Sequence, residues 1–355
     1  MFSYFKNLDW KLNLAVLFLM AASLTSLYGS RPELFYKQLL FWAIGLVFVF
    51  FIIRFDWRPF INHRGVILGI YFIIAALLVV TLFAPAIRGT KGWLILGPFQ
   101  LQPSEFAKLA LIVLYAVFFS RRHISIARTS NLFVSFIYFF IPASLVVIQP
   151  DFGSALILFF IWFGFLLISG IRWRHLALML IIFSIAGFLI WHGVLKDYQK
   201  ERIFGVFFPN WDTLGINYNV IQSKIAIGSA GFFGKGFGQG TQSHLGFLPE
   251  AQTDFIFAAV VEEWGLLAGL LLIAAFAILV FETIKIGFNA DNNFSRFVCL
   301  GAAILFVFHF ILNIGSNLVL TPVIGVTFPF LSYGGSSLLT NLILIGLIQS
   351  IKIRG

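Results

Sequence analysis

The feature that most constrains this chain is a series of apolar blocks, each 16 to 30 residues long, recurring from one end to the other. A helix rising 1.5 Å per residue needs about that length to cross a hydrocarbon core roughly 30 Å thick. A surface helix of a soluble protein would interrupt such runs with a polar face. Composition agrees: 60% of the residues are hydrophobic and 11% are charged, where soluble domains carry about 25% charged residues. The chain reads as an all-α, polytopic integral membrane protein, a single membrane domain over residues 1–355.

Ten spans are expected, near 12–28, 38–53, 65–83, 104–120, 132–148, 153–171, 176–194, 255–284, 297–319 and 336–352. Most connections are short, which makes neighbouring helices antiparallel. One connection is long, residues 195–254. Lys6 and Lys11 ahead of the first block resemble the start of a signal peptide, but no A-x-A site follows and a further span begins within ten residues. The net charge of +10 is distributed as caps between apolar blocks rather than along one stripe, which argues for membrane topology and against nucleic acid. Short loops such as Arg54–Arg64 and Arg121, Arg122 and Arg128 carry the basic bias. Both termini are therefore expected on the cytoplasmic side, with the long loop facing outward. The lone Cys299 offers neither a disulfide nor a thiolate metal site.

Charge inside a span is costly, so polar residues there point to function. Glu105 and Lys108, three apart at the start of the fourth span, can form an internal ion pair or contact a substrate. Pro150-Asp151-Phe152-Gly153 has ordinary turn chemistry, and Asp151 can also cap the sixth span. In the long loop stands Arg202, followed by an amphipathic stretch, 217–228, with Gln222 and with Lys224 on its wet side. The glycine-rich segment 231–241 contains Lys235. It fails as a nucleotide-binding loop because Gly236 follows the lysine and no strand precedes it, leaving a flexible interfacial loop or a phosphate contact. Asp254 lies where the long loop enters the eighth span, and Thr253 or Asp254 would be an ordinary helix cap there. Counting along a helix, Glu262 falls two turns below Asp254 on roughly the same side, with Glu263 beside it. His309, Asn313 and Asn317 form a stripe suited to hydrogen bonding between helices. Ser332 lies in the glycine- and serine-rich approach to the tenth span. No His-Glu-x-x-His, Cys-x-x-Cys or Gly-x-Ser-x-Gly pattern occurs, so zincin and serine-hydrolase chemistry lack their residues.

One carboxylate at the membrane boundary, several cations and a glycine-rich loop suit a substrate with a lipid tail and an anionic head. A sugar on a lipid pyrophosphate already carries its leaving group. Its transfer needs a base for the acceptor hydroxyl and positive charge for the departing pyrophosphate, and no organic cofactor. Asp254 is the natural base, with partial desolvation raising its pKa toward a useful value. Glu105, Lys108, Arg202, Gln222, Lys224, Lys235 and Ser332 are the candidate substrate contacts. Asp254 alone supplies too few ligands to argue a metal site, so a divalent ion at the pyrophosphate does not follow from the sequence. A lipid flippase, or a scaffold that anchors partners, would fit the same inventory.

The blocks Gln102–Lys108, Gln149–Ser154, Gln222–Lys235, Gly240–Phe257 and Phe328–Ser337 together resemble the SEDS family (shape, elongation, division and sporulation) over nearly the whole chain. Gly240–Ser243 and Phe247–Glu250 look more like its elongation branch than its division branch. The resemblance implies polymerisation of peptidoglycan from lipid II in a bacterial cytoplasmic membrane, with inversion at the donor anomeric carbon and release of undecaprenyl pyrophosphate. It makes Asp254 the essential acid. It also implies a class B penicillin-binding protein as partner, together with other membrane proteins of the elongation complex. Ala230 departs from the family's usual glycine, and Gln252 from a frequent histidine.

Overall fold

The computed structural model describes residues 7–55, 63–87, 89–97, 99–121, 129–193, 197–208, 215 and 217–354. Its helices are α1 (Trp10–Ser30), α2 (Pro32–Arg54), α3 (Arg64–Thr81), α4 (Pro103–Ser120), α5 (Thr129–Ile148), α6 (Phe152–Ile168) and α7 (Trp173–Gly193). The long connection then carries α8 (Asp197–Phe207), α9 (Tyr218–Ser229) and the one-turn α10 (Thr241–His244). Three more follow: α11 (Ile256–Phe288), α12 (Asn293–Asn317) and α13 (Gly335–Arg354). Among the described residues eight helices are long and apolar enough to cross a membrane, and two shorter apolar ones, Gly65–Thr81 and Phe152–Ile168, occupy the third and sixth expected spans. The expected α9 forms as an amphipathic helix, with Val220, Ser223 and Ala226 buried. Its C-cap Ala230 has φ −67 and ψ −31, a conformation that does not require glycine.

Two elements were not expected. The connection after α3 holds a small antiparallel hairpin, β1 (Leu94–Leu96) paired with β2 (Phe99–Leu101), a loop feature within the all-α fold. The polar segment 197–207 folds as α8 rather than as loop. Arg202 lies within α8, but its side chain is outside the described residues, as are Arg58, Arg122 and Arg128 of the basic loops.

Local chemistry sets the helix ends. Asp9 caps α1 by accepting from the Leu12 amide (3.0 Å), Asp151 caps α6 through Ser154 (3.0 Å), and Asn292 caps α12 through Ser295 (2.8 Å). Pro32 and Pro103 open α2 and α4, where a missing N–H costs nothing. The most enclosed helices are α4, α12 and α13, whereas α7 has no buried residue among those described. Lipid is as apolar as leucine, so these helices are held by close packing and hydrogen bonds between them. Phe165 of α6 stacks on Phe119 (5.8 Å) and Phe297 (6.0 Å). It does so against Gly301 of α12, where an added Cβ would lie 2.7 Å from the Phe165 ring and 2.9 Å from Ile112.

That contact makes a test. Gly301→Ala forces the rings apart and should cost about 1–3 kcal/mol through overpacking. Gly69→Ala, on a face of α3 where an added Cβ meets nothing within 4 Å, should be neutral or stabilising by helix propensity. Thermal unfolding in detergent reads both. A Gly301→Ala protein as stable as Gly69→Ala would show that α12 does not depend on this close approach.

Candidate active site

The eighth apolar helix is not continuous. Gly265 has φ 85 and ψ 176, which breaks α11 into a short outer arm, 256–264, and a long span, 266–288. A break strands backbone groups that water cannot reach at this depth. The glycine-rich loop supplies their partners. Lys235 N–H donates to the Glu262 carbonyl (3.0 Å) and Gly236 N–H to the Glu263 carbonyl (3.0 Å). In return, the amides of Leu266 and Leu267 donate to the carbonyls of Gly231 (3.0 Å) and Phe232 (3.2 Å). Gly234 has φ +83, and a Cβ there would strike the Glu263 backbone; a Cβ at Gly265 would strike the Phe232 carbonyl. The glycines therefore permit two backbones to interlock. Of the two readings the sequence left open, a flexible loop or a phosphate contact, neither described this: the Lys235 and Gly236 amides are bonded to the helix.

The two deeper carboxylates complete this joint. Glu262 is wholly buried and accepts from Lys235 Nζ (2.8 Å), Thr241 Oγ1 (3.1 Å), the amides of Gln242 (2.8 Å) and Ser243 (3.0 Å), and Ser243 Oγ (2.9 Å). Glu263 Oε1 accepts from His244 Nε2 (2.7 Å). Helical counting from Asp254 misplaced Glu262, because α11 starts only at Ile256 and Asp254 belongs to the preceding turn. Glu262 faces the loop, not Asp254.

The Asp254 turn closes through Thr253 N–H and Phe255 N–H, which both donate to the Glu250 carbonyl (3.1 and 3.2 Å). Three successive carbonyls are then held from the other side of the site. Gln252 O accepts from the Tyr333 amide (2.8 Å), Thr253 O from Ser332 Oγ (2.6 Å), and Asp254 O from Asn313 Nδ2 (3.0 Å) and Asn317 Nδ2 (2.9 Å). Neither Thr253 nor Asp254 caps α11: Thr253 Oγ1 bonds to Glu250 Oε2 (3.0 Å), and Asn317 Oδ1 takes the Ala258 amide (3.2 Å). Asp254 is half-buried, and its Oδ2 would lie 3.9 Å from a Cβ on Gly325. Burial raises the Tyr333 phenol above its usual range, so it stays protonated beside this turn.

Other expected site residues are distributed unevenly. Glu105 and Lys108 form a buried ion pair at 2.7 Å, with Lys108 only 1% exposed. Lys108 Nζ also reaches His309 Nε2 (3.3 Å), and His309 Nδ1 reaches the Thr327 carbonyl (3.0 Å). An ammonium donor at Nε2 leaves the proton on Nδ1, where it donates to Thr327. Ser332 is buried and bonded to backbone at both ends, accepting from the Phe328 amide (2.8 Å) besides holding Thr253 O; it supports the turn. Lys235 is committed to Glu262. Lys224 is exposed and Gln222 half-buried on α9. The opposite side of α9 packs Ala226 against Leu248, Ala251 and Phe255 under the Asp254 turn. A cleft with about 430 Å³ of empty volume opens between α8, the start of α9 and Thr321–Val323; Asp254 does not line it. Among the described residues no group of three His, Cys, Asp or Glu could hold a metal ion.

Comparison with known proteins gives this arrangement its relatives. A family model described as a cell cycle protein family, FtsW/RodA/SpoVE, matches residues 4–354. The chain belongs to this family. It is 37% identical over 296 residues to the peptidoglycan glycosyltransferase MrdB of Escherichia coli (strain K12), covering 83% of this chain and 77% of that protein. It is 34% identical over 319 residues to the stage V sporulation protein E of Bacillus subtilis (strain 168), covering 89% of this chain and 86% of the relative. Among solved structures, a chain from a peptidoglycan synthase complex that coordinates polymerization and crosslinking superposes with a TM-score of 0.83, at 30% identity and 97% coverage of both chains. The rod shape determining protein RodA of Thermus thermophilus superposes with a TM-score of 0.72 at 26% identity, covering 97% of this chain and 96% of that one.

Two outcomes test the site's construction. Lys108→Met strands the buried Glu105 and should destabilise the protein by about 3–5 kcal/mol, while Glu105→Gln with Lys108→Met recovers most of that loss; equal losses in denaturant unfolding would mean the pair is not coupled. Glu262→Gln keeps one acceptor oxygen and sets an NH2 against the donors that faced the other, three on Oε1 or two on Oε2, so hydrogen exchange at the Gln242 or Ser243 amide should accelerate by at least about tenfold. Unchanged protection there would mean that Glu262 does not hold the loop.

Proposed function

We propose that this chain is a peptidoglycan glycosyltransferase that joins lipid II units into glycan strands, with Asp254 as the catalytic base. The observation that carries this reading is the half-buried Asp254 at the head of a broken helix, its backbone held on three successive carbonyls. In the reaction the acceptor GlcNAc hydroxyl gives its proton to the Asp254 carboxylate. Its oxygen then bonds to the donor MurNAc anomeric carbon from the face opposite the leaving group. The bond to undecaprenyl pyrophosphate breaks, the pair of electrons leaves with the phosphate oxygen, and the anomeric centre inverts. Pyrophosphate departs without a general acid, so one carboxylate suffices, unlike the pair a glycosidase needs.

Charge for the departing pyrophosphate comes from the outer loop. Lys224 is the better candidate because it is exposed on α9, whereas Lys235 is already neutralised by Glu262. Gln222 shares α9 with Lys224, and Arg202 adds a cation on α8. No organic cofactor enters this scheme, and a divalent ion at the pyrophosphate is compatible with it. The basic residues Arg54 and Arg121 at the ends of α2 and α4 support cytoplasmic termini and an outward-facing Asp254 in a bacterial inner membrane. Likeness to a RodA structure favours the elongation branch, and likeness to a chain of a peptidoglycan synthase complex favours a class B penicillin-binding protein as partner; other membrane proteins of the elongation complex are part of the same proposal.

Asp254→Asn leaves the α11 cap intact, because Asn317 supplies it, so the variant should fold like the wild type. Purified with its transpeptidase partner and given lipid II, it should make no glycan strands, a loss of at least about 10²-fold if the base is essential. Long strands from Asp254→Asn would remove Asp254 as base. Wild-type protein that moves labelled lipid across liposomes without extending strands would make the chain a flippase.

A further inference from the structure

We infer that Asn313 and Asn317 are positioning residues for glycan polymerisation, a paired carboxamide clamp that fixes the main chain of Asp254. This rests on Asp254 being the base proposed above. The two side chains are four apart on α12 and buried, at 1% and 0% exposure. Both aim Nδ2 at the same acceptor, the Asp254 carbonyl, at 3.0 and 2.9 Å. A carbonyl oxygen has two lone pairs, and this one receives two donors.

Asn317 does something more specific than join helices. In an uninterrupted helix the Ala258 amide would donate to the carbonyl four residues back, that of Asp254. Here the Asn317 carboxamide bridges those two groups: Oδ1 accepts from Ala258 N–H at 3.2 Å, and Nδ2 donates to Asp254 O at 2.9 Å. The amide thus acts as a spacer at the mouth of α11. It caps the helix while tying residue 254 to α12.

Asn313 fixes the opposite wall. Its Nδ2 also reaches the Val326 carbonyl at 2.8 Å, next to Gly325, which borders the Asp254 carboxylate. Asn317 is in turn held by Ser223 Oγ through its own carbonyl (3.0 Å), on the helix that carries Gln222 and Lys224. One pair of residues therefore connects the base, the wall beside it and the candidate pyrophosphate-binding helix. Simple adhesion between helices would not require two amides on the carbonyl of the catalytic residue.

The distinguishing variants are Asn317→Asp and Asn313→Ala. Asn317→Asp keeps an oxygen for the Ala258 amide and is itself a favoured cap, but it replaces the donor to Asp254 O with an acceptor. Asn313→Ala removes both of its donors and leaves the cap untouched. Each is purified at full length with the transpeptidase partner, its folded fraction is measured by size exclusion and thermal unfolding, and polymerisation is followed against lipid II concentration. Misplacing a base by about 1 Å can cost 10²-fold in rate. We therefore expect kcat per folded molecule to fall about 10- to 100-fold in both variants, with KM for lipid II within about twofold of wild type. Unchanged kcat in both folded variants would reduce the pair to helix adhesion and overturn the inference. So would a raised KM at constant kcat, which would make the pair a substrate contact, or failure of both variants to fold, which would make it a determinant of the fold alone. Wild-type protein that extends no strand in the same assay would sink the functional reading itself, and the clamp with it.

Discussion

A helix broken within an apolar bundle leaves carbonyls and amides that no lipid can satisfy, and this fold solves that problem once, at Gly265. The loop 231–236 enters the break and exchanges four backbone hydrogen bonds with it. Everything on the outer side of the site is referred to that joint. The arm 256–264 is freed from the direction of the span below it, so Asp254 can be delivered at an angle a continuous helix could not provide. The same loop runs on into α10, which Glu262 and Glu263 pin from beneath. The long connection is thereby made part of the membrane domain rather than a flap above it.

The acidic residues divide accordingly. Glu105, Glu262 and Glu263 are buried, each within hydrogen-bonding reach of a lysine or histidine. Such pairs let charge exist where it would otherwise be expelled, and they offer little to a substrate. Asp254 differs in being half-buried, with its backbone carbonyl anchored by α12. The buried acids hold the scaffold, and the proposed chemistry falls to the acid at its edge. Lys108 extends the logic through His309 and Thr327 to the segment that borders Asp254.

The apolar helices were legible from sequence because a membrane span is written in consecutive residues. So was Asp254, since a carboxylate where a loop meets a span is locally conspicuous. What escaped depends on partners far along the chain. The glycine-rich loop looked like an anion nest because its acceptors, Glu262 and Glu263, lie 27 residues on from Lys235 and Gly236. Gly265 carries no local sign of a break, since Gly269 and Gly287 stand in the same 33-residue helix without one. The α11 cap was assigned to Thr253 or Asp254 by proximity, yet it comes from Asn317, 59 residues beyond the amide it accepts. The stripe His309, Asn313 and Asn317 was visible, but not its targets. The hairpin β1–β2 and the polar α8 were too short to announce themselves by periodicity.

The single-carboxylate mechanism proposed for Asp254 makes a particular demand on the protein. With no second acid to share the work, rate must come from where the base sits rather than from an unusual affinity for the proton. The turn meets that demand through main-chain atoms. Consecutive carbonyls of Gln252, Thr253 and Asp254 are gripped by Tyr333, Ser332, Asn313 and Asn317, so the main chain sets the position of the Asp254 Cα. The base proposed at Asp254 needs such a rigid root, because a carboxylate displaced by about 1 Å would no longer meet the acceptor hydroxyl in line.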